Sequence, residues 1–231
     1  MPVSANDLTE LTAVAALEPE AAVLIAAAVT ETAAVPVARK RPRPGERRVQ
    51  ILQTLAAMLE QPGADRVTTA ALAAKLDVSE AALYRHFASK AQMFEGLIEF
   101  IEGSIFTLVN QITEREGSGQ LRAQKIVSVL LQFGERNPGM TRVMVGDALV
   151  YENERLVLRM NQFFDRIESA LRQVLRVAAE AKGSTTPTVD ANAQASVLVS
   201  FIIGRLQRYA RSGFKRMPTE QIDAALRLLT A

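Results

Sequence analysis

Thr68–Lys90 reads TTAALAAKLDVSEAALYRHFASK, two short helical segments on either side of a break. Thr68 and Thr69 are helix-capping residues, and the Ala/Leu run behind them predicts a helix over 70–76. The break falls at Asp77-Val78. Asp77 stands where a left-handed turn residue is needed; glycine is the easy choice there, and aspartate tolerates it at some cost. Ser79 then caps a second helix predicted to run to about Phe87. Two short helices joined by a tight turn form a helix-turn-helix, whose second helix enters the major groove of a DNA duplex. That helix carries Tyr84, Arg85 and His86 ahead of Phe87, with Lys90 just beyond. These side chains suit phosphate and base-edge contacts.

Ala/Leu-rich helix pairs also occur in all-α proteins that never meet DNA, so charge has to decide. Residues 39–90 hold ten Lys/Arg against five Asp/Glu, whereas residues 1–38 hold five acids (Asp7, Glu10, Glu18, Glu20, Glu31) and no base. The overall formal charge of +2 therefore hides a polarised chain. Positive charge clustered beside a helix-turn-helix is the electrostatic footprint of a duplex binder.

At 231 residues and 48% hydrophobic, the chain can bury one or two cores. It has no cysteine, which excludes disulfides and thiol chemistry and fits a reducing, cytoplasmic setting. A single histidine leaves no His-cluster metal site, and no residue constellation supports an enzyme or a cofactor. Gly117-Ser118-Gly119 opens no phosphate loop and reads as a flexible turn. The longest apolar run, Ala21–Val29, has nine residues, against about twenty for a membrane span. The start is acidic, unlike a secretory signal. Residues 1–38 read as a disordered or weakly helical Ala/Thr/Glu tail, with a docking peptide as the alternative. Pro36, Pro42, Pro44 and Gly45 punctuate the passage into the folded part.

The remaining pattern is helical, and the expected fold class is all-α. Glu46–Glu60 places Val49, Leu52, Leu55, Ala56 and Leu59 on one face, and Pro62-Gly63 ends it. Ser89 with Gln92 forms a capping-box pattern for a helix reaching about Arg115, striped with Phe94, Leu97, Ile98, Ile101, Ile105, Leu108 and Ile112. Helices follow over about 121–136, 152–181, 190–212 and 219–229, with a short segment at 140–145. In the 152–181 helix Leu156, Met160, Phe163, Ile167, Leu171, Val174 and Ala178 recur at helical spacing. Val197–Ile203 is apolar nearly all round, so that helix must be buried on several sides. Either it lies inside a monomer's core or it faces a second copy in a four-helix homodimer. A dimer would hold two reading helices roughly 34 Å apart, fit for the half-sites of a palindrome. The organisation expected is a tail (1–38), a basic arm with the DNA-binding head (39–90), and a helical regulatory and dimerisation body (91–231).

A basic arm, a helix-turn-helix ending in Leu83-Tyr84-Arg85-His86-Phe87 with Ser89-Lys90, and an all-α body resemble the TetR family. More narrowly, Glu80–Phe87, Leu97–Glu102, Phe133–Gly139, Arg166–Glu168 and Leu171–Arg176 resemble its nucleoid-occlusion branch. The match spreads over about 46–180, is loose beyond that, and does not cover the tail. The resemblance implies a nucleoid-associated dimer that binds specific double-stranded sites. From there it inhibits assembly of the division protein FtsZ, so that no septum forms across the chromosome. The family's general alternative is a repressor that responds to a small molecule.

Carried over position by position, the DNA-contacting set is Thr68, Thr69, Ser79, Ala82, Tyr84, Arg85, His86 and Lys90. Thr68 and Ser79 lie at helix N-termini, where free amides grip phosphate. Tyr84 and Lys90 read as phosphate positioners. Arg85 and His86 reach either base edges or backbone, and His86 has a packing role as its alternative. Arg39, Lys40, Arg41 and Arg43 form an arm along or within the minor groove, or else a charged linker. The partner surface carries over to Phe100, Arg136 and Asn137. Phe100 sits about 120° from the centre of its helix's apolar stripe by wheel arithmetic; the alternative is an edge-of-core phenylalanine. Arg136-Asn137 could equally be a helix C-terminal cap. Departures from the family pattern are Leu108 for a basic residue, Gln132 for a glycine, Asp77 for the turn glycine and Ala88 for a proline. They bear on the partner footprint more than on the DNA reading.

Overall fold

The computed structural model describes residues 45–61 and 67–231, and every secondary-structure element among them is helical. The tail and the arm residues Arg39, Arg41 and Arg43 lie outside the described residues, as does Pro62-Gly63. The head consists of α1 (Glu46–Leu59), α2 (Thr69–Lys75) and α3 (Glu80–Tyr84). Next comes α4 (Lys90–Arg115), the long helix that joins head to body. The body contains α5 (Gly119–Arg136), α6 (Pro138–Met144), a single 3-10 turn at Asp147–Leu149, α7 (Glu154–Ala181), α8 (Pro187–Arg211) and α9 (Ile222–Leu229).

Helix α1 buries Ile51, Leu55, Ala56 and Leu59. The expected face was set slightly off: Ile51 takes its centre, while Val49 and Leu52 are only partly covered. Positions 51, 55 and 59 are one turn apart, and they place α1 against α4 and α6. In α4 the buried set includes Phe94, Leu97, Ile98, Ile101, Ile105 and Ile112, as expected, but Val109 replaces Leu108, which stays half-exposed. Helix α7 buries Leu156, Met160, Phe163, Phe164, Ile167, Leu171, Val174 and Leu175, a stripe one face wide. It forms a hairpin with α8 through the link at 182–186.

Two glycines carry tertiary structure. Gly119 was expected to belong to a flexible turn; instead it is buried as the first residue of α5. A Cβ there would lie 2.3 Å from the Val174 carbonyl oxygen, so α5 and α7 touch backbone to backbone at this point. Gly139 does the same for head and body: a Cβ on α6 would sit 2.1 Å from the Ala56 carbonyl oxygen of α1. The last helix also differs from expectation. Gln221 takes a left-handed conformation (φ 53°), which splits residues 219–221 off as a turn before α9. Behind it Thr230 is buried, with its carbonyl accepting from Gln120 at 2.7 Å and its hydroxyl oxygen from Gln124 at 2.7 Å.

Candidate nucleic-acid interface

Helices of seven and five residues do not hold themselves together in water, so α2 and α3 depend on caps and on burial. Thr68 accepts from the Ala71 amide at 3.1 Å and Ser79 from the Ala82 amide at 3.3 Å. Each cap contributes about 1 kcal/mol. Between them Asp77 takes φ 53°, the left-handed turn expected of it. The Val78 amide donates back to the Ala73 carbonyl at 3.0 Å and closes the helix end. Thr69 donates from its hydroxyl to Glu80 at 2.6 Å, tying the start of α2 to the start of α3. Leu72, Leu83 and Phe87 fill the space beneath.

The reading helix is shorter than the sequence suggested. It stops at Tyr84, and the amides of His86 and Phe87 both turn back to the Leu83 carbonyl. The chain leaves the helix there because Phe87 must enter the core, where it is 1% exposed, before Ser89 can cap α4. Arg85 and His86 therefore sit in the tight turn after α3, not on its last turn. Both are exposed, as are Thr68, Ser79 and Tyr84, while Thr69, Ala82 and Lys90 are half-covered. The structure thus places the residues carried over as DNA contacts, from 68 to 90, on the head and at the first position of α4. The three arm arginines, Arg39, Arg41 and Arg43, lie outside the described residues.

Two residues that shape this surface were missed in sequence. Arg48 of α1 donates to the His86 carbonyl at 2.7 Å, and its guanidinium lies 4.1 Å over the Phe87 ring. It pins the turn that presents Arg85 and His86. Glu152, in the loop before α7, pairs with the ammonium of Lys90. Neither leaves a local signal, since the partners are 38 and 62 positions apart.

The residues carried over for a protein partner fare unevenly. Phe100 is half-buried at the rim of the core, its ring 6.3 Å from that of Phe133. Arg136 is exposed at the end of α5. Asn137 is buried, and its side-chain amide donates to the Phe133 carbonyl at 2.8 Å. The structure gives Asn137 the capping role, so its amide is not offered at the surface; it shapes the corner that holds Arg136 out.

Among the described residues, no group of His, Cys, Asp or Glu is arranged to hold a metal ion, and no helix is long and apolar enough to cross a membrane. The body is filled by Ile126, Leu130, Phe163, Ile167 and Ile202, all fully buried. A cleft of about 460 Å³ lies between the far ends of α7 and α8 and the C-terminal residues, and one of about 480 Å³ lies along α8. Both open to solvent.

Comparison with known proteins fits this geometry. Residues 51–97 match the family model described as bacterial regulatory proteins, tetR family. Residues 118–231 match a tetracyclin repressor-like C-terminal domain of SlmA-like type. The chain is 53% identical over 186 residues to the nucleoid occlusion factor SlmA of Photobacterium profundum, covering 80% of this chain and 94% of that one. It is 52% identical over 186 residues, with the same coverage, to its counterpart in Vibrio cholerae. Among solved structures it is similar to the fatty acid degradation regulator FadR of Bacillus halodurans. The TM-score is 0.65 at 15% identity, covering 83% of this chain and 97% of the other, a likeness of fold alone. The chain belongs to the TetR family and, within it, to the nucleoid occlusion factors of the SlmA type.

Proposed function

We propose that this protein works as a homodimer on palindromic chromosomal sites and there inhibits FtsZ ring assembly over the nucleoid. The observation that carries the reading is the head's exposed surface. Two side-chain-capped helix starts, Thr68 and Ser79, lie beside Tyr84, Arg85 and His86, all exposed to water. Amides left free at a helix start, together with hydroxyl protons, bind phosphate, and Arg and His read bases or backbone.

The dimer follows from α8. Its inner side is spent on α5, α6 and α7, yet Val189, Val197, Ser196 and Ser200 remain exposed, with Phe201 and Gly204 half-covered. A helix with two apolar sides and small residues on the outer one suits close packing against a second copy. The FtsZ surface is assigned to the rim between α4 and the end of α5, around Phe100 and Arg136, with Asn137 as the cap beneath. Action on the nucleoid places the protein in the cytoplasm.

The ligand-responsive alternative requires an enclosed pocket with converging polar groups, whereas the clefts of this body open to solvent. Sedimentation of FtsZ polymers with GTP tests the main reading. Polymer is expected to fall only when both the protein and its selected duplex are present; no change in any mixture refutes it. The reading head is tested apart from this: Tyr84→Ala is expected to abolish the gel shift while leaving the dimer intact, and a retained shift overturns the assignment.

A further inference from the structure

Lys90 occupies an unfavourable position. It is the first residue of α4, and the first turn of that helix contains no acid. Unsatisfied amides give a helix N-terminus a partial positive charge, so an ammonium there is repelled while an anion is attracted. The missing anion comes from elsewhere in the chain. Glu152, in the loop before α7, places its carboxylate on the Lys90 ammonium, and its side chain is only 9% exposed. The Glu152 amide is itself fixed to the Leu149 carbonyl at 3.0 Å. The acids nearby on α4 have other cations: Glu95 pairs with Arg155 at 2.7 Å, and Glu102 with Arg159 at 2.6 Å. The Lys90 ammonium also lies over the buried Phe94 ring, 5.7 Å from its centroid.

We infer that Glu152 is a built-in competitor for DNA, holding on Lys90 the place that a backbone phosphate takes when the duplex binds. This rests on the reading of Lys90 as a phosphate contact. A carboxylate and a phosphate oxygen make the same demand on an ammonium group: negative charge at hydrogen-bonding distance. Docking the duplex therefore exchanges one anion for another and leaves a largely buried carboxylate without its cation. Glu152 weakens DNA binding by that cost. Because phosphate contacts carry no base information, it weakens specific and non-specific duplexes alike.

The test is a double-mutant cycle read by fluorescence anisotropy, on the selected duplex and on a scrambled one, over a salt series. Glu152→Gln is expected to tighten both duplexes by about fivefold at low salt, the scale of a partly exposed ion pair. Lys90→Met is expected to weaken both and to flatten the log–log salt slope by about 0.9. In the Lys90→Met background, Glu152→Gln is expected to do nothing. The inference is overturned if Glu152→Gln leaves affinity unchanged or lowers it. It is also overturned if the gain survives without Lys90, which would make it general charge removal. If Lys90→Met neither weakens binding nor changes the slope, the phosphate reading of Lys90 fails first and the inference goes with it. Circular dichroism and sedimentation establish that each variant is a folded dimer, and Glu152→Ala, expected to act in the same direction, serves as the second variant.

Discussion

The head and the body present opposite kinds of surface to water. In the head no aliphatic side chain larger than alanine is fully exposed among the described residues, and Thr68, Ser79, Tyr84, Arg85 and His86 face water. Its core residues Leu72, Leu83 and Phe87 are each about 1% exposed, while Leu52, Met58, Leu76 and Val78 are partly covered. In the body, α7 turns its main apolar stripe inward but leaves Leu158 and Val177 54% and 43% exposed, and α8 leaves Val189 and Val197 64% and 50% exposed. The difference teaches how the labour is divided. On the proposed reading, the head of one protomer meets a polyanion as it stands, whereas the body of one protomer leaves apolar surface for its copy.

The largest effect is expected where that contrast is attacked directly. Val197→Asp puts a charge into the proposed apolar interface of both copies. It is expected to raise the dimer dissociation constant by at least about a hundredfold, since an unpaired buried charge costs several kcal/mol. Sedimentation velocity reads this, and a variant that stays dimeric at micromolar concentration would refute the contrast. Next comes the joint between head and body. Gly139→Ala forces a methyl group against the Ala56 carbonyl and is expected to cost about 3 kcal/mol, lowering Tm by roughly 6–12 °C. Thermal melts check it; no change would mean that α1 and α6 separate freely.

Within the head, Asp77 holds a left-handed conformation. A β-branched residue there is expected to be strained by roughly 1–2 kcal/mol. Asp77→Val should therefore lower both Tm and duplex affinity, while Asp77→Gly should come close to the parent in both. Equal behaviour of the two variants would show that the turn is not held to that conformation.

The smallest effect concerns Glu60, at the end of α1 beside Gly139. Burial is the larger influence and raises its pKa above the ordinary 4.5, opposed by a hydrogen bond from the Gly139 backbone. A carboxyl whose folded pKa is raised binds protons more readily in the folded state. Its contribution is therefore most favourable at low pH and is lost as pH climbs from about 4.5 through the raised value. Glu60→Gln is expected to stabilise the protein at pH 7 by less than about 1 kcal/mol, and to make no difference at pH 4. Denaturant titrations at the two pH values decide this, and a destabilised Gln variant at pH 7 contradicts the sign.

The local chemistry of Thr68, Ser79 and Ser89 was legible because capping is a short-range matter. A hydroxyl bonds an amide three residues on, so the pattern is visible in the sequence itself. Helix α7 was legible for a similar reason, since a single inward stripe repeats at helical spacing. Family resemblance supplied the contact set, and the structure gathers its described members on one module. Legibility failed at Asn137, where the same residues can serve as cap or contact and only burial separates the two. It failed again at the end of α3, where the demand of Phe87 for the core overrode a continuing helical pattern.

From the sequence alone came the class of fold, the two capped starts, the left-handed role of Asp77 and the polarised charge, all properties of neighbours along the chain. Only the tertiary structure could reveal that Arg48 pins the turn at His86, that Gly119 and Gly139 are points of backbone contact, and that Glu152 sits on Lys90. Each of these joins residues many turns apart. Their pairing depends on how helices pack in three dimensions, and no periodicity in one dimension encodes that directly.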